Sequence, residues 1–188
     1  MNDPEYCYPP DFTTLRNKLD IRDAATLERV ERRFVVQRIA EGVPCGDFDL
    51  AHLKAIHRHL FQDVYDWAGE LRTVEIAKGG SRFQFRRFIE TGMADIHRRL
   101  IARDFLKGLD AETFAHEAGE ILGDVNHVHP FREGNGRTQF IYLDQLAQQA
   151  GHPLDLTHLD RDDWMAASRE AHLGRYEAMG RCIAAAVR

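Results

Sequence analysis

Nine consecutive residues, His129-Pro130-Phe131-Arg132-Glu133-Gly134-Asn135-Gly136-Arg137, gather side chains that can do chemistry. A histidine can take up and release a proton near neutral pH. Proline disfavours helix in the residue before it, so His129 stands at the mouth of a turn. Glu133 offers the hard oxygen that Mg²⁺ prefers. Gly134 and Gly136 leave no bulk around Asn135, and backbone N–H groups there can form an anion nest that opens a helix. Arg137, in the first turn, can fork onto phosphate oxygens. Taken singly, a Gly-Asn-Gly turn joins helices and a histidine before proline is structural. Together, a base, a metal ligand, an anion nest and a cation point to phosphoryl or nucleotidyl chemistry.

The elements around this stretch read as helices. Asp23 caps a helix with Leu27, Val30, Phe34 and Ile39 on one face, and Gly42-Val43-Pro44 stops it. Asp49 caps a second, with Leu53, Ile56, Leu60, Phe61 and Val64. A third carries Ile89, Met93, Ile96 and Leu100. A fourth, with Phe114, Ala118, Ile121, Leu122 and Val125, ends between His127 and Pro130. A fifth runs from about Arg137 to Gly151. One last helical stretch spans Trp164 to Ile183, with Asp160 to Asp163 suited to its positive end. Residues 1–20, with Tyr8-Pro9-Pro10, read as an irregular arm.

Residues 71–85 differ. Thr73-Val74-Glu75-Ile76 alternates, Lys78-Gly79-Gly80-Ser81 is turn chemistry, and Arg82-Phe83-Gln84-Phe85 alternates again, so strands are expected over 73–77 and 82–85. Such a hairpin is either a plain surface feature or a flap that pairs with an extended peptide by strand addition.

Composition sets the frame. The chain has 188 residues, 44% hydrophobic and 29% charged, with a net charge of −5. This reads as one globular domain over 1–188 and gives no global basic field for nucleic acid or anionic lipid. No apolar run is long enough to span a membrane. The start, Met1 to Glu5, has neither a basic nor an apolar leader region. Three scattered cysteines, Cys7, Cys45 and Cys182, fit a reducing, cytoplasmic setting. P-loop, dinucleotide-fingerprint, CxxC, HExxH and GxSxG patterns are absent. His127 and His129 lack the further ligands that a zinc site needs. His57 and His59 read as surface or satisfied interface residues. Six arginines against three carboxylates between Ser81 and Asp104 read as a solvated face, or as a surface for an acidic partner.

The stretch 129–137 resembles the Fic domain motif HxFx[D/E]GNGRxxR at His129, Phe131, Glu133, Gly134, Asn135, Gly136 and Arg137. Residues 65–69 and the hairpin with Lys78-Gly79-Gly80 are similar to the family's flap region, and the arm to its short stand-alone bacterial members. The resemblance implies an all-α Fic fold, a helical bundle with one small β-hairpin flap. It implies transfer of AMP from ATP to a Ser, Thr or Tyr hydroxyl of a protein. His129 would be the base, and Glu133 would hold Mg²⁺ on the nucleotide. Gly134, Asn135 and Gly136 would cradle the phosphates, with Asn135 orienting the α-phosphate. Arg137 would neutralise the departing pyrophosphate, and Phe131 would anchor the loop in the core. Thr73, Val74, Glu75 and Ile76 in the flap would dock the target, for which a type II topoisomerase subunit such as gyrase B is the family-level expectation.

One position departs from the motif. Phe140 stands where the family has a second arginine that grips the γ-phosphate and pairs with an inhibitory glutamate. A phenyl ring can do neither. The family's inhibitory pattern [S/T]xxxE[G/N] is also absent, since Val30 follows Thr26 and His172 follows Ser168 at that spacing. The resemblance therefore implies a toxin-like enzyme restrained by a separate small antitoxin. Alternatives are a weak Fic-fold binding module, or a transferase that uses another phosphate-containing donor.

Overall fold

The computed structural model describes residues 3–78 and 81–188. Its frame is helical: α1 (Ala24–Ala40), α2 (Leu50–Phe61), α3 (Ile89–Ala102), α4 (Ala111–Val128), α5 (Asn135–Ala150), α6 (Arg161–Ala171) and α7 (Glu177–Ala186). Helix α4 lies at the centre and packs against α3, α5, α6 and α7, while α2 bridges α1 and α5. The fold is all-α with a minimal hairpin.

The caps follow from residue type. Asp23, Asp49 and Asp110 each accept a hydrogen bond from a first-turn N–H, and Asp160 accepts two. A side-chain oxygen thus satisfies donors that the helix itself leaves open. The buried stripe of α4 includes Phe114, Ala118, Ile121, Leu122 and Val125, the spacing expected of a core helix.

Three elements differ from the sequence reading. In α1 the buried residues are Leu27, Glu31 and Val35, whereas Ile39 is 42% exposed. The inward face is set by an i, i+4, i+8 row that includes a carboxylate. The stretch from Trp164 to Ile183 divides into α6 and α7, because Gly174 adopts φ 77 and its N–H closes a turn on the Ala171 carbonyl at 2.9 Å. The hairpin strands are short, β1 (Ala77–Lys78) and β2 (Ser81–Arg82), not 73–77 and 82–85. The ladder stops early because the Gln84 N–H turns to the His127 carbonyl at 3.0 Å, at the end of α4. The expected turn residues Gly79 and Gly80 lie outside the described residues. The arm is irregular, with a bridge between Cys7 and Leu15 and with Tyr6 and Cys7 buried.

Candidate active site

Helix α4 ends at Val128, and His129 takes the left-handed backbone with φ 46 and ψ 64. Its N–H still closes the helix on the Val125 carbonyl at 3.1 Å. Its Nδ1 lies 3.1 Å from the Asn126 carbonyl oxygen. A carbonyl only accepts, so Nδ1 carries the proton and the lone pair sits on Nε2. That tautomer is a base. The Phe83 ring, from the flap, stacks on the imidazole with centroids 3.7 Å apart.

The loop after His129 is pinned from within. Asn135 Oδ1 accepts from the Phe131 N–H at 3.0 Å, and its Nδ2 donates to the Phe131 carbonyl at 2.8 Å. The Asn135 side chain thus ties the loop backbone on both sides of its amide. Phe131 is fully buried and stacks on His57 with centroids 3.9 Å apart. His57 Nε2 donates to the Glu133 carbonyl at 3.0 Å, and Nδ1 accepts from the Gly69 N–H at 2.7 Å. Burial pushes the His57 pKa down to about 4, so its ring is neutral at pH 7.

Gly134 has φ 81, and a Cβ there would lie 2.4 Å from the Phe61 ring. No other residue fits. A Cβ on Gly136 would meet nothing within 4 Å. This leaves open space above the first turn of α5, where N–H groups have no intrahelical acceptor. Glu133 is exposed, and its Oε1 accepts from the Gly134 N–H at 2.9 Å. The Arg137 guanidinium reaches the same space: Nη2 is 3.6 Å from Glu133, and Cζ stands 4.7 Å over the Phe61 ring. Nη1 bonds Glu31.

Among the described residues no three His, Cys, Asp or Glu side chains form a metal cluster. One exposed carboxylate beside an anion nest suits Mg²⁺ all the same, because this ion keeps several waters and takes its other oxygens from substrate phosphates.

An open cleft of about 1530 Å³ runs past these groups. His129, Glu133, Gly136 and Arg137 line it, as do Thr73 to Ile76. Phe140 lines it too; half-buried, its ring packs on the core residue Trp164 at 4.9 Å. Arg137 and Phe140 thus share one face of α5, one helical turn apart. Leu156, Leu159 and Met165 extend this apolar wall.

Two residues that hold the site together escaped the sequence reading. Arg72 is fully buried. Its guanidinium donates to the carbonyls of His129 at 2.9 Å, Val74 at 2.9 Å and Gln84, so one cation binds the end of α4 to both arms of the flap. A cation at carbonyls that end a helix is favourably placed. Arg132 pairs with Asp3 at 2.6 Å and fastens the arm to the loop. The sequence signal for Arg72 is a lone cation at the entry of an alternating run. None of its partners is adjacent in sequence except those within the flap.

The fold has known counterparts. The Fic/DOC family model matches residues 47–147, more than half of the chain, and the chain belongs to that family. It is an enzyme of the Fic-type protein adenylyltransferase class. It is 41% identical to the protein adenylyltransferase VbhT of Bartonella schoenbuchensis, over 93% of this chain but 37% of that protein. It is 42% identical to the Sinorhizobium fredii protein named "Probable protein adenylyltransferase y4lH", over 85% of this chain and 83% of that one. Among solved structures, BepC from Bartonella tribocorum with bound AMPPNP superimposes with a TM-score of 0.87 at 27% identity, over 97% of this chain and 96% of that chain.

Proposed function

We propose that this chain transfers AMP from ATP to a Ser, Thr or Tyr hydroxyl of a target protein, with His129 as general base. Nε2 of His129 accepts the hydroxyl proton, the hydroxyl oxygen bonds to the α-phosphorus, and the bond from that phosphorus to the β-phosphate bridge oxygen breaks. Pyrophosphate leaves. The observation that carries this reading is the His129 tautomer set in one cleft with the first-turn N–H groups of α5 and Arg137. Those groups oppose the negative charge of the phosphates, and Arg137 stabilises the leaving pyrophosphate. Glu133 would hold Mg²⁺, which when bound neutralises phosphate charge.

Thr73, Val74, Glu75 and Ile76 dock the target as an extended segment beside His129. The described helices include none long and apolar enough to cross a membrane. The free thiols Cys7, Cys45 and Cys182 support a reducing, cytoplasmic setting. The toxin role, an antitoxin carrying the inhibitory helix, and gyrase B as target rest on the family resemblance. They make gyrase B the first protein to assay.

The test is incubation of gyrase B, and then of a whole lysate, with isotopically labelled ATP, Mg²⁺ and this protein. Mass spectrometry should find AMP on a hydroxyl side chain. Absence of any AMP adduct overturns the reading. Phe140 favours attenuation as a second feature of the same enzyme. Phe140→Arg should increase labelling on the order of tenfold by adding a charge-assisted contact to phosphate. A folded variant with no gain removes the attenuation.

A further inference from the structure

Glu31 is a carboxylate in the interior of an otherwise ordinary helix. Its side chain is 5% exposed, in the row between Leu27 and Val35. A buried charge is costly unless both its oxygens are engaged. Both are: Oε2 accepts from the Tyr65 hydroxyl, and Oε1 from Nη1 of Arg137. Tyr65 is itself buried, and burial with the Glu31 charge raises its pKa far above the ordinary range, so it stays a donor. Arg137 is different. Its side chain is 34% exposed and opens into the cleft. Glu31 holds one end of the guanidinium, the Phe61 ring lies beneath it, and Glu133 stands at its rim. Arg137 and Gly136 line the same cleft.

We propose that Glu31 is a positioning residue for nucleotide binding, which acts through Arg137 and is itself fixed by Tyr65. This rests on the reading of Arg137 as a phosphate-binding residue. A long arginine side chain has many rotamers, and a planar fork that is held in place loses less freedom when it meets a phosphate. Glu31 supplies that restraint from α1, a helix that contributes nothing else charged to this point of the cleft among the described residues. It also has a definite sign. An anion that merely competed with phosphate for Arg137 would weaken nucleotide binding, whereas one that orients Arg137 strengthens it.

The experiment measures dissociation constants for Mg·AMPPNP and for AMP, with KM and kcat for ATP, in the full chain. The variants are Glu31→Gln, Tyr65→Phe, Arg137→Ala and the double variant Glu31→Gln with Arg137→Ala. Glu31→Gln should weaken AMPPNP and raise KM on the order of tenfold, as expected for loss of a charge-assisted restraint. AMP, which lacks the β- and γ-phosphates, should change less than about twofold, because it does not meet Arg137. In the Arg137→Ala background, Glu31→Gln should add less than about twofold. Tyr65→Phe keeps the carboxylate and should produce the same pattern with a smaller change, which serves if Glu31→Gln does not fold.

Three results overturn the proposal: tighter AMPPNP binding by Glu31→Gln, equal losses for AMPPNP and AMP, or an undiminished Glu31→Gln effect without Arg137. If Arg137→Ala leaves AMPPNP binding unchanged, the phosphate role of Arg137 itself falls. That control separates failure of the underlying reading from failure of the Glu31 assignment.

Discussion

The loop from His129 to Arg137 and the flap over residues 71–85 flank the same cleft, yet they are held in different ways. The loop secures itself: Asn135 bonds both polar backbone groups of Phe131, Gly134 fits against Phe61, and His57 sits under the turn. The flap has two-residue strands and depends on Arg72, with Gln84 fastened to α4. On the proposed reading the loop keeps a base and phosphate donors in register, which interior packing favours. On the same reading the flap offers a backbone edge to a target. The loop is held by contacts within itself and with the core, whereas the flap is hung from the end of α4 through Arg72 and Gln84.

The largest effect should come from the residue that joins the two regions. Arg72→Met would leave the carbonyls of His129, Val74 and Gln84 without their donor. It should destabilise the protein by about 3 kcal/mol or more, read as a denaturant midpoint shift, and lower both AMPPNP binding and target labelling. If labelling falls while AMPPNP binding holds, Arg72 serves the flap alone and the coupling is absent.

The loop should also carry an acid sensitivity of its own. His57 has a folded pKa of about 4, below the ordinary histidine value near 6.5. Between these values the unfolded chain takes up a proton and the native ring does not. Stability therefore rises with pH across that window, and is lost as pH falls from about 6.5 toward 4, by about 3 kcal/mol at most. Urea denaturation from pH 7 to pH 4 should show this slope, and His57→Gln should flatten it. Equal slopes in the two proteins would remove His57 as the cause.

A smaller and more selective change is expected in the flap. Ala77→Pro keeps the Ile76 carbonyl that accepts from the Phe83 N–H at 3.3 Å, and removes the N–H of the next residue, which in the antiparallel register points away from β2 to the edge a target strand would use. Target labelling should fall on the order of tenfold through the lost docking bond. AMPPNP affinity should move less than about twofold, since the nucleotide contacts lie on the loop. A parallel fall in both would make the hairpin a structural part of the nucleotide site.

The same contrast explains what could be read from the sequence. Loop residues announce themselves because each residue type acts locally. Proline ends α4, glycine fits the left-handed turn beside Phe61, and arginine stands in the first turn of α5. The helices are legible from their apolar spacing and their aspartate caps. The flap's short strands are not, because their extent is decided by Gln84 bonding the end of α4, a contact that alternation cannot encode. Glu31 and Arg72 are hidden in the sequence because a buried charge has partners far away along the chain. Glu31 still carries a sign, four residues from Leu27 and from Val35 on the inward row. The two bonds of the Asn135 amide to Phe131 are likewise not legible from the motif.

The central claim is that His129 contributes proton transfer and little to nucleotide binding. His129→Asn tests it well, because asparagine tolerates the left-handed backbone found at this position. AMP transfer to target and equilibrium binding of Mg·AMPPNP should be measured side by side on wild type and variant. Transfer should fall at least about a hundredfold, with AMPPNP affinity within about twofold and the melting temperature preserved. Transfer by the variant at the wild-type rate, with nucleotide still bound, would contradict the account.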